Sequence, residues 1–191
     1  MTYRETLRAF TLDRTNCVIL ITDMQDKVLG ATYDHEKVLN NTLNLLKVAS
    51  IFDVPVINVE HCSDKMGHTN ESLLEEIGKW PTYTKDTFSV IRSPHIEKAL
   101  DEMGRDQVII VGVEAHICVA QSALDASELG YSVFVVSDAT SSIKPDDAKS
   151  AFERMRMAGV TILPTQSVMF ELLEKAGTNE FKKALSFIKS V

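Results

Sequence analysis

Cysteine is scarce in this chain, and so are proline, glycine and any surplus of positive charge; each shortage removes a class of protein. Cys17, Cys62 and Cys118 are the only cysteines among 191 residues. Their odd number and wide spacing, with no CxxC pair and no zinc-like pattern, argue against a disulfide framework or a thiolate zinc site and favour a reducing compartment. Twenty Lys and Arg against 27 Asp and Glu give a formal charge of -7. Tight nonspecific binding to phosphate backbones or anionic membrane surfaces needs clustered basic residues, so neither a nucleic acid nor a membrane is expected as a partner. No apolar run approaches the ~20 residues of a membrane span. The N-terminal stretch mixes Arg4, Arg8 and Arg14 with Glu5 and Asp13 and lacks the apolar core of a secretory signal, so the cytoplasm is the expected location, with an organelle left open. No linker rich in Pro, Ser or Gly, internal repeat or low-complexity tract divides the chain. A composition 45% apolar and 25% charged then predicts one domain over 1–191 with a well-buried core. GxGxxG, GxxxxGK[ST] and GxSxG are all missing, which removes the backbone cradles of dinucleotides and P-loop phosphates and the serine elbow, and no cofactor is expected.

What the chain does have is a regular alternation. Runs rich in Val and Ile recur at 17–22 (CVILIT), 54–60 (VPVINVE), 82–85 (TYTK), 107–113 (QVIIVGV), 131–137 (YSVFVVS) and 159–163 (GVTIL). Several are apolar on both faces, as strands covered by helices on each side must be, which predicts an α/β fold with six parallel strands and right-handed crossovers. The intervals carry helical spacing: Val38, Leu39, Thr42, Leu45, Leu46 and Ala49 form one face, Ile96, Ala99, Leu100 and Met103 another, and Val119, Ala123, Leu124, Ala126 and Leu129 a third. Gly104 and Gly130 stop the second and third. Ala148, Phe152, Met155 and Ala158, then Val168, Phe170, Leu172 and Leu173, then Phe181, Leu185 and Ile188, complete the helical set. The longest irregular piece is expected at about 62–81, where a functional loop or an interface is anticipated.

The most informative segment is GVEAHICVAQSALDA, which follows the fourth strand and sets Cys118 at the first turn of a predicted helix. Unpaired amides and the positive end of the helix dipole favour a thiolate there, and the same amides can hold an oxyanion. A lone cysteine is ordinarily a small buried apolar side chain, so Cys118 needs partners. Asp23, after the first strand, and Lys85, at the third, should emerge on the same sheet edge, where open parallel sheets bind their ligands. Asp23 as a helix cap and Lys85 as a solvated surface charge are the structural alternatives. Gln25, Cys62, Phe88 and His116 are candidate pocket-wall residues. Gln25 could also support the Asp23 loop or, equally, lie on a helix surface, Cys62 could be an ordinary loop thiol or a redox partner of Cys118, and His116 could merely cover the helix start. Trp80 is a further aromatic candidate for the wall, with core packing the commoner fate. Cys17, opening a strand, is read as packing. Asp138 and Thr140 read as helix-cap or supporting residues. Glu60, His61, Asp64 and His68 carry metal-ligand chemistry at a strand end, but in unconvincing spacing, and no metal is expected.

Several ordered motifs together resemble the isochorismatase-like cysteine hydrolases over nearly all of the chain: a first strand ending in DMQ, the lysine of KDTFSV, GVEAHICV, NVEHCSDKMGHT after the second strand, and ERMRMAGV followed by PTQSVMFELL. The resemblance is strongest to the isochorismatase-domain subfamily. It implies a three-layer αβα, Rossmann-like hydrolase fold with a six-stranded, mainly parallel sheet. It implies Cys118 as nucleophile, Asp23 as general base and Lys85 as the cation that orients Asp23. It also implies a cis peptide between Val113 and Glu114 that aims the Glu114 and Cys118 N–H groups at one oxygen, and a homo-oligomer, with 62–81 and the helices near Phe170 and Phe181 as candidate contacts. Metal-dependent nicotinamidases of the superfamily carry a DxH after the second strand, from which NVEHCSDKMGH departs. Vinyl-ether hydrolysis needs no sulfur nucleophile, so Cys118 points to an amide-like small-molecule substrate and a thioester intermediate. A thiol peroxide sensor using Cys118, and a noncatalytic binding or assembly protein of the same fold, are the competing functions.

Overall fold

The computed structural model describes residues 10–191; the expectations resting on Arg4, Glu5 and Arg8 fall outside them. Six strands, β1 (Cys17–Thr22), β2 (Val56–His61), β3 (Thr82–Lys85), β4 (Gln107–Val113), β5 (Ser132–Ser141) and β6 (Thr161–Leu163), form one sheet in the order β3-β2-β1-β4-β5-β6. Every pairing is parallel. β1 and β4 lie at the centre and are buried at every position. Their alternate residues serve two cores, because successive side chains of a strand point to opposite faces. Ile19, Ile21, Ile109 and Val111 meet one core with Phe134 and Val136, while Val18, Leu20, Val108 and Ile110 meet the other with Ile57 and Val135.

Helices cover both faces. On the first lie α2 (His35–Ser50), α4 (Glu71–Ile77), α8 (Thr165–Leu173) and α9 (Asn179–Ile188), and on the second α5 (Pro94–Glu102), α6 (Ala120–Glu128) and α7 (Pro145–Met157). Two single turns, α1 (Asp26–Leu29) and α3 (Ser63–Met66), follow β1 and β2. The architecture is therefore the expected three-layer α/β fold. The chain turns from β3 back across the sheet to β4, so the order reverses between the neighbours β1 and β4, and a crevice is expected beyond their carboxyl ends. No helix among the described residues is long and apolar enough to cross a membrane.

Several boundaries differ from the pattern reading. The stretch 62–81 is not irregular: it holds α3 and α4, the latter started by the Asn70 side chain, which accepts from Ser72 N–H, and fixed by buried Leu73 and Ile77. β5 runs on to Ser141 through a bulge, with Ile110 opposite Val135 but Gly112 opposite Thr140. The extra residues follow from pairing with β4 rather than from local pattern. β2 starts at Val56 and β6 shrinks to three residues. Leu129 is exposed at the end of α6, and Phe170 is exposed on α8, where its ring meets Phe181 at 6.3 Å. Cys17 is fully buried, and burial pushes its thiol up to about 12, in keeping with packing.

Candidate active site

Asp23 leaves β1 in the left-handed region (φ 56°), a conformation that Asp tolerates better than most residues, with its N–H donated to Val59 O at 2.9 Å. Lys85 closes β3. Cys118 is the fourth residue of a π-helical turn, Ala115–Val119, that leads from β4 into α6. Strand order thus delivers the three side chains to one point. Lys85 Nζ lies 3.0 Å from Asp23 Oδ2 and 3.7 Å from Cys118 Sγ, and Asp23, Lys85 and Cys118 are 2, 4 and 6% exposed. At that burial an unpaired ammonium or carboxylate would be costly, and the pair neutralises both charges.

The third contact of the ammonium was not foreseen. His61 Nδ1 lies 3.4 Å from Lys85 Nζ. An ammonium only donates, so this contact is a hydrogen bond in the tautomer that leaves Nδ1 free to accept; Nε2 lies 3.7 Å from Cys62 Sγ. Carboxylate, imidazole and sulfur together occupy all three N–H bonds of Lys85. His61 also stacks on Phe88, with ring centroids 5.6 Å apart and planes 20° apart. The sequence placed His61 at a strand end but considered it only as a metal ligand; its place on the same sheet edge as Asp23 was the available signal.

Charge at the site is set by burial. Desolvation raises the Asp23 carboxyl above the ordinary range, opposed by the Lys85 ammonium and by a hydrogen bond from Cys118. Desolvation also raises the Cys118 thiol, and the Asp23 charge adds to it, with Lys85 opposing. The upward shift favours the protonated sulfur over the thiolate expected at a helix start, because lost hydration outweighs the helix end. Asp23 Oδ1 is buried with no hydrogen-bond partner of good geometry, which leaves that oxygen available to the thiol.

A cavity of about 180 Å³ opens over Cys118 and Asp23, walled by Val28, His61, Met66, Phe88, Val113 and Ile117, with Glu114 at its edge. The Val113–Glu114 peptide is cis. Glu114 turns its carboxylate to Ile143 N–H, with Oε2 2.9 Å away. Of the four anticipated wall residues, only Phe88 lines this cavity. Gln25 is fully buried and acts as a clamp: Nε2 donates to His61 O (3.0 Å) and Gly67 O (2.6 Å), and Oε1 accepts from His61 N–H (2.8 Å). Cys62 lines a different cavity with Lys65, Asp86 and His95, on which Lys85 also borders. His116 Nδ1 pairs with Ser142 Oγ at 2.9 Å, away from the cavity. Trp80 packs against the core. Because Gln25 makes three backbone contacts that nothing else replaces, Gln25→Leu should lower unfolding stability by about 2–3 kcal/mol, measured by urea denaturation.

The carboxylate of Glu60 is committed to Thr69, from its N–H (2.8 Å) and hydroxyl (3.0 Å), and to His68 Nδ1 (3.0 Å), while Asp64 is exposed. Among the described residues no group of His, Cys, Asp and Glu converges as a metal site would. Asp138 Oδ1 accepts from Thr165 N–H and its hydroxyl, both at 2.7 Å, and so caps α8.

Comparison with known proteins identifies the family and supports the fold. The model of the isochorismatase domain matches residues 17–167. The secreted isochorismatase effector Isc1 of Phytophthora sojae is 32% identical over 177 residues, covering 90% of this chain and 84% of the relative. The structure of MAR1 ribonuclease from Caenorhabditis elegans superposes with a TM-score of 0.87 at 29% identity, over 94% of this chain and 92% of the other. The YcaC gene product of Escherichia coli, described as an octameric hydrolase of unknown specificity, gives 0.89 at 28% identity, over 94% and 90%.

Proposed function

The chain belongs to the isochorismatase family, and from that membership and its buried carboxylate, amine and thiol we propose that it is a cysteine hydrolase of small, uncharged amide-like compounds. Asp23, Lys85 and Cys118 are the proposed catalytic residues, acting within one domain. The observation that carries this reading is the single ammonium, Lys85 Nζ, held 3.0 Å from Asp23 Oδ2 and 3.7 Å from Cys118 Sγ, two residues that line one cavity.

In the proposed reaction Asp23 takes the thiol proton as sulfur adds to the carbonyl carbon, and the negative oxygen is received by the N–H groups of Glu114 and Cys118. The C–N bond then breaks as Asp23 returns its proton to the leaving nitrogen, leaving a thioester on Cys118. Water gives a proton to Asp23, adds to the thioester carbon, and the C–S bond breaks with the proton returned to sulfur. Lys85 stays protonated throughout. It holds Asp23 in place and offsets negative charge at each stage.

Cavity size and lining narrow the substrate. An apolar cavity of about 150 Å³ holds benzene, so about 180 Å³ suits one small ring or a short branched chain beside the reacting carbonyl. No Lys or Arg is among the residues that line it, which disfavours a dicarboxylate such as isochorismate and equally a polynucleotide; the ribonuclease name of the nematode relative is not transferred. The three free thiols support a cytoplasmic location, although the Phytophthora relative is secreted, and the octameric relative supports a homo-oligomer. Cys62 and Cys118 border different cavities, so no observation favours the peroxide-sensing alternative.

The test is a panel of small neutral amides followed by mass spectrometry of the peptide holding Cys118. Turnover with an acyl adduct on that peptide is expected. No turnover and no adduct with any member, while a relative processes some of them, would reject the reading. The acid side of the pH profile is a second check. Asp23 must be ionised to accept the proton, and its carboxyl is raised; activity should therefore fall on acidification with a midpoint above the ordinary value of about 3.9. Because the groups titrate together, that midpoint belongs to the whole site.

A further inference from the structure

We propose that a second cavity, remote from Cys118, binds a small organic anion. It exists because β5 outruns β6: Val136 is the last β5 residue paired with β6, opposite Leu163, and the strand continues to Ser141 with that edge open. The start of α2 and one face of α7 close over the open edge, leaving a cavity of about 420 Å³, more than twice the space over Cys118.

Its lining has the marks of an anion site. Lys37 from α2 and Lys149 and Arg156 from α7 border it, and none of the three pairs with a carboxylate among the described residues. Thr140, 4% exposed, also borders it and carries a buried hydroxyl with no partner; a buried hydroxyl left unpaired costs stability unless something supplies the bond. Two carboxylates are present, Asp34 and Asp138. Asp138 is committed through Oδ1 to capping α8, so the three cations outnumber the acidic groups. The rings of Tyr33 and Phe152 supply an apolar wall.

The chemistry that fits is a carboxylate or phosphate on a small aromatic or aliphatic body: oxygens toward Lys37, Lys149 and Arg156, body against Tyr33 and Phe152. Arg156 can meet two oxygens at once, which a lysine cannot. This site is independent of the proposed reaction, since none of its residues borders the cavity over Cys118.

Calorimetric titration of the full chain tests the proposal, using benzoate and phenyl phosphate as separate probes. Saturable binding of at least one probe, one per chain, is expected, and the better probe identifies which anion the site prefers. The double variant Lys149→Gln/Arg156→Gln alters two exposed side chains and should weaken that binding about tenfold or more while leaving the unfolding midpoint unchanged. Absence of saturable binding by either probe, or an affinity unchanged in the double variant, would overturn the assignment.

Discussion

Cys118→Ala should lower turnover of any amide substrate by a factor on the order of 10³ or more, without unfolding the protein. The size follows from the proposed division of labour. Removal of a nucleophile leaves only binding and oxyanion contacts, and constellations that act as a unit collapse nearly completely when one member goes. The side chain lost is small and buried, and its contact with Lys85 Nζ, at 3.7 Å, is long, so stability should change far less than activity. Cys118→Ser is the sharper variant. It keeps a hydroxyl at the same place beside Asp23 and Lys85 but replaces the thiol with a much weaker acid, so it should bind substrate with near-normal affinity while failing to accumulate an acyl adduct. Steady-state kinetics and intact-mass measurement on both variants separate the possibilities. Turnover within tenfold of the native chain in both would remove Cys118 from the chemistry and leave Asp23 and a bound water as the reacting pair.

The parts of this molecule that could be read from sequence are those fixed by local pattern. β1 and β4 begin and end where the apolar runs do, because both are buried on both faces, and the short polar β3 is bounded by Pro81 and Asp86. That three strand ends would bring Asp23, Lys85 and Cys118 to one crevice was legible from order alone, since parallel strands emit their loops on a common edge. What escaped the pattern is tertiary in origin. The bulge that carries β5 on to Ser141 is imposed by pairing with β4. The π-turn around Cys118 cannot be told from the start of an α-helix by periodicity, and the burial of the sulfur there, which pushes the thiol up, depends on packing from the rest of the fold. Gln25 and His61 illustrate the same limit at the level of side chains. Gln25 reads as a pocket-wall residue, a support of the Asp23 loop or a helix-surface residue, and His61 as a weak metal-ligand candidate; one is a buried clamp on backbone carbonyls and the other is an additional partner of Lys85 Nζ. Neither role follows from spacing, because each partner lies on an element distant in sequence.

Gly112→Ala should be the most damaging single substitution for the fold, because two independent costs fall on one position. Gly112 sits in β4 opposite Thr22 of β1, with φ +119°, a conformation open to glycine but strained for any residue with a Cβ. A Cβ built there would lie 2.0 Å from Thr22 O and 2.8 Å from Thr22 C. Those are backbone atoms of the central strand, so no rotamer change can relieve the contact; β1 and β4 would have to separate. The conformational strain alone is about 1–3 kcal/mol, and parting two fully buried strands adds cavity and lost ladder bonds, placing the total above the ~4 kcal/mol that marks an exceptional point mutation. The consequence reaches the site, since Thr22 precedes Asp23 and Gly112 lies six residues before Cys118; the same close approach that excludes a side chain sets the separation of base and thiol. Expressed Gly112→Ala should therefore be largely insoluble or unfold at far lower urea than the native chain, and any soluble fraction should be inactive. Gly67, where a Cβ meets nothing within 4 Å despite φ +83°, is the control: Gly67→Ala bears the conformational cost only and should remain folded, with a stability loss of about 1–3 kcal/mol. Comparable unfolding midpoints for the two variants would show that backbone strain, rather than the β1–β4 approach, accounts for the requirement at 112.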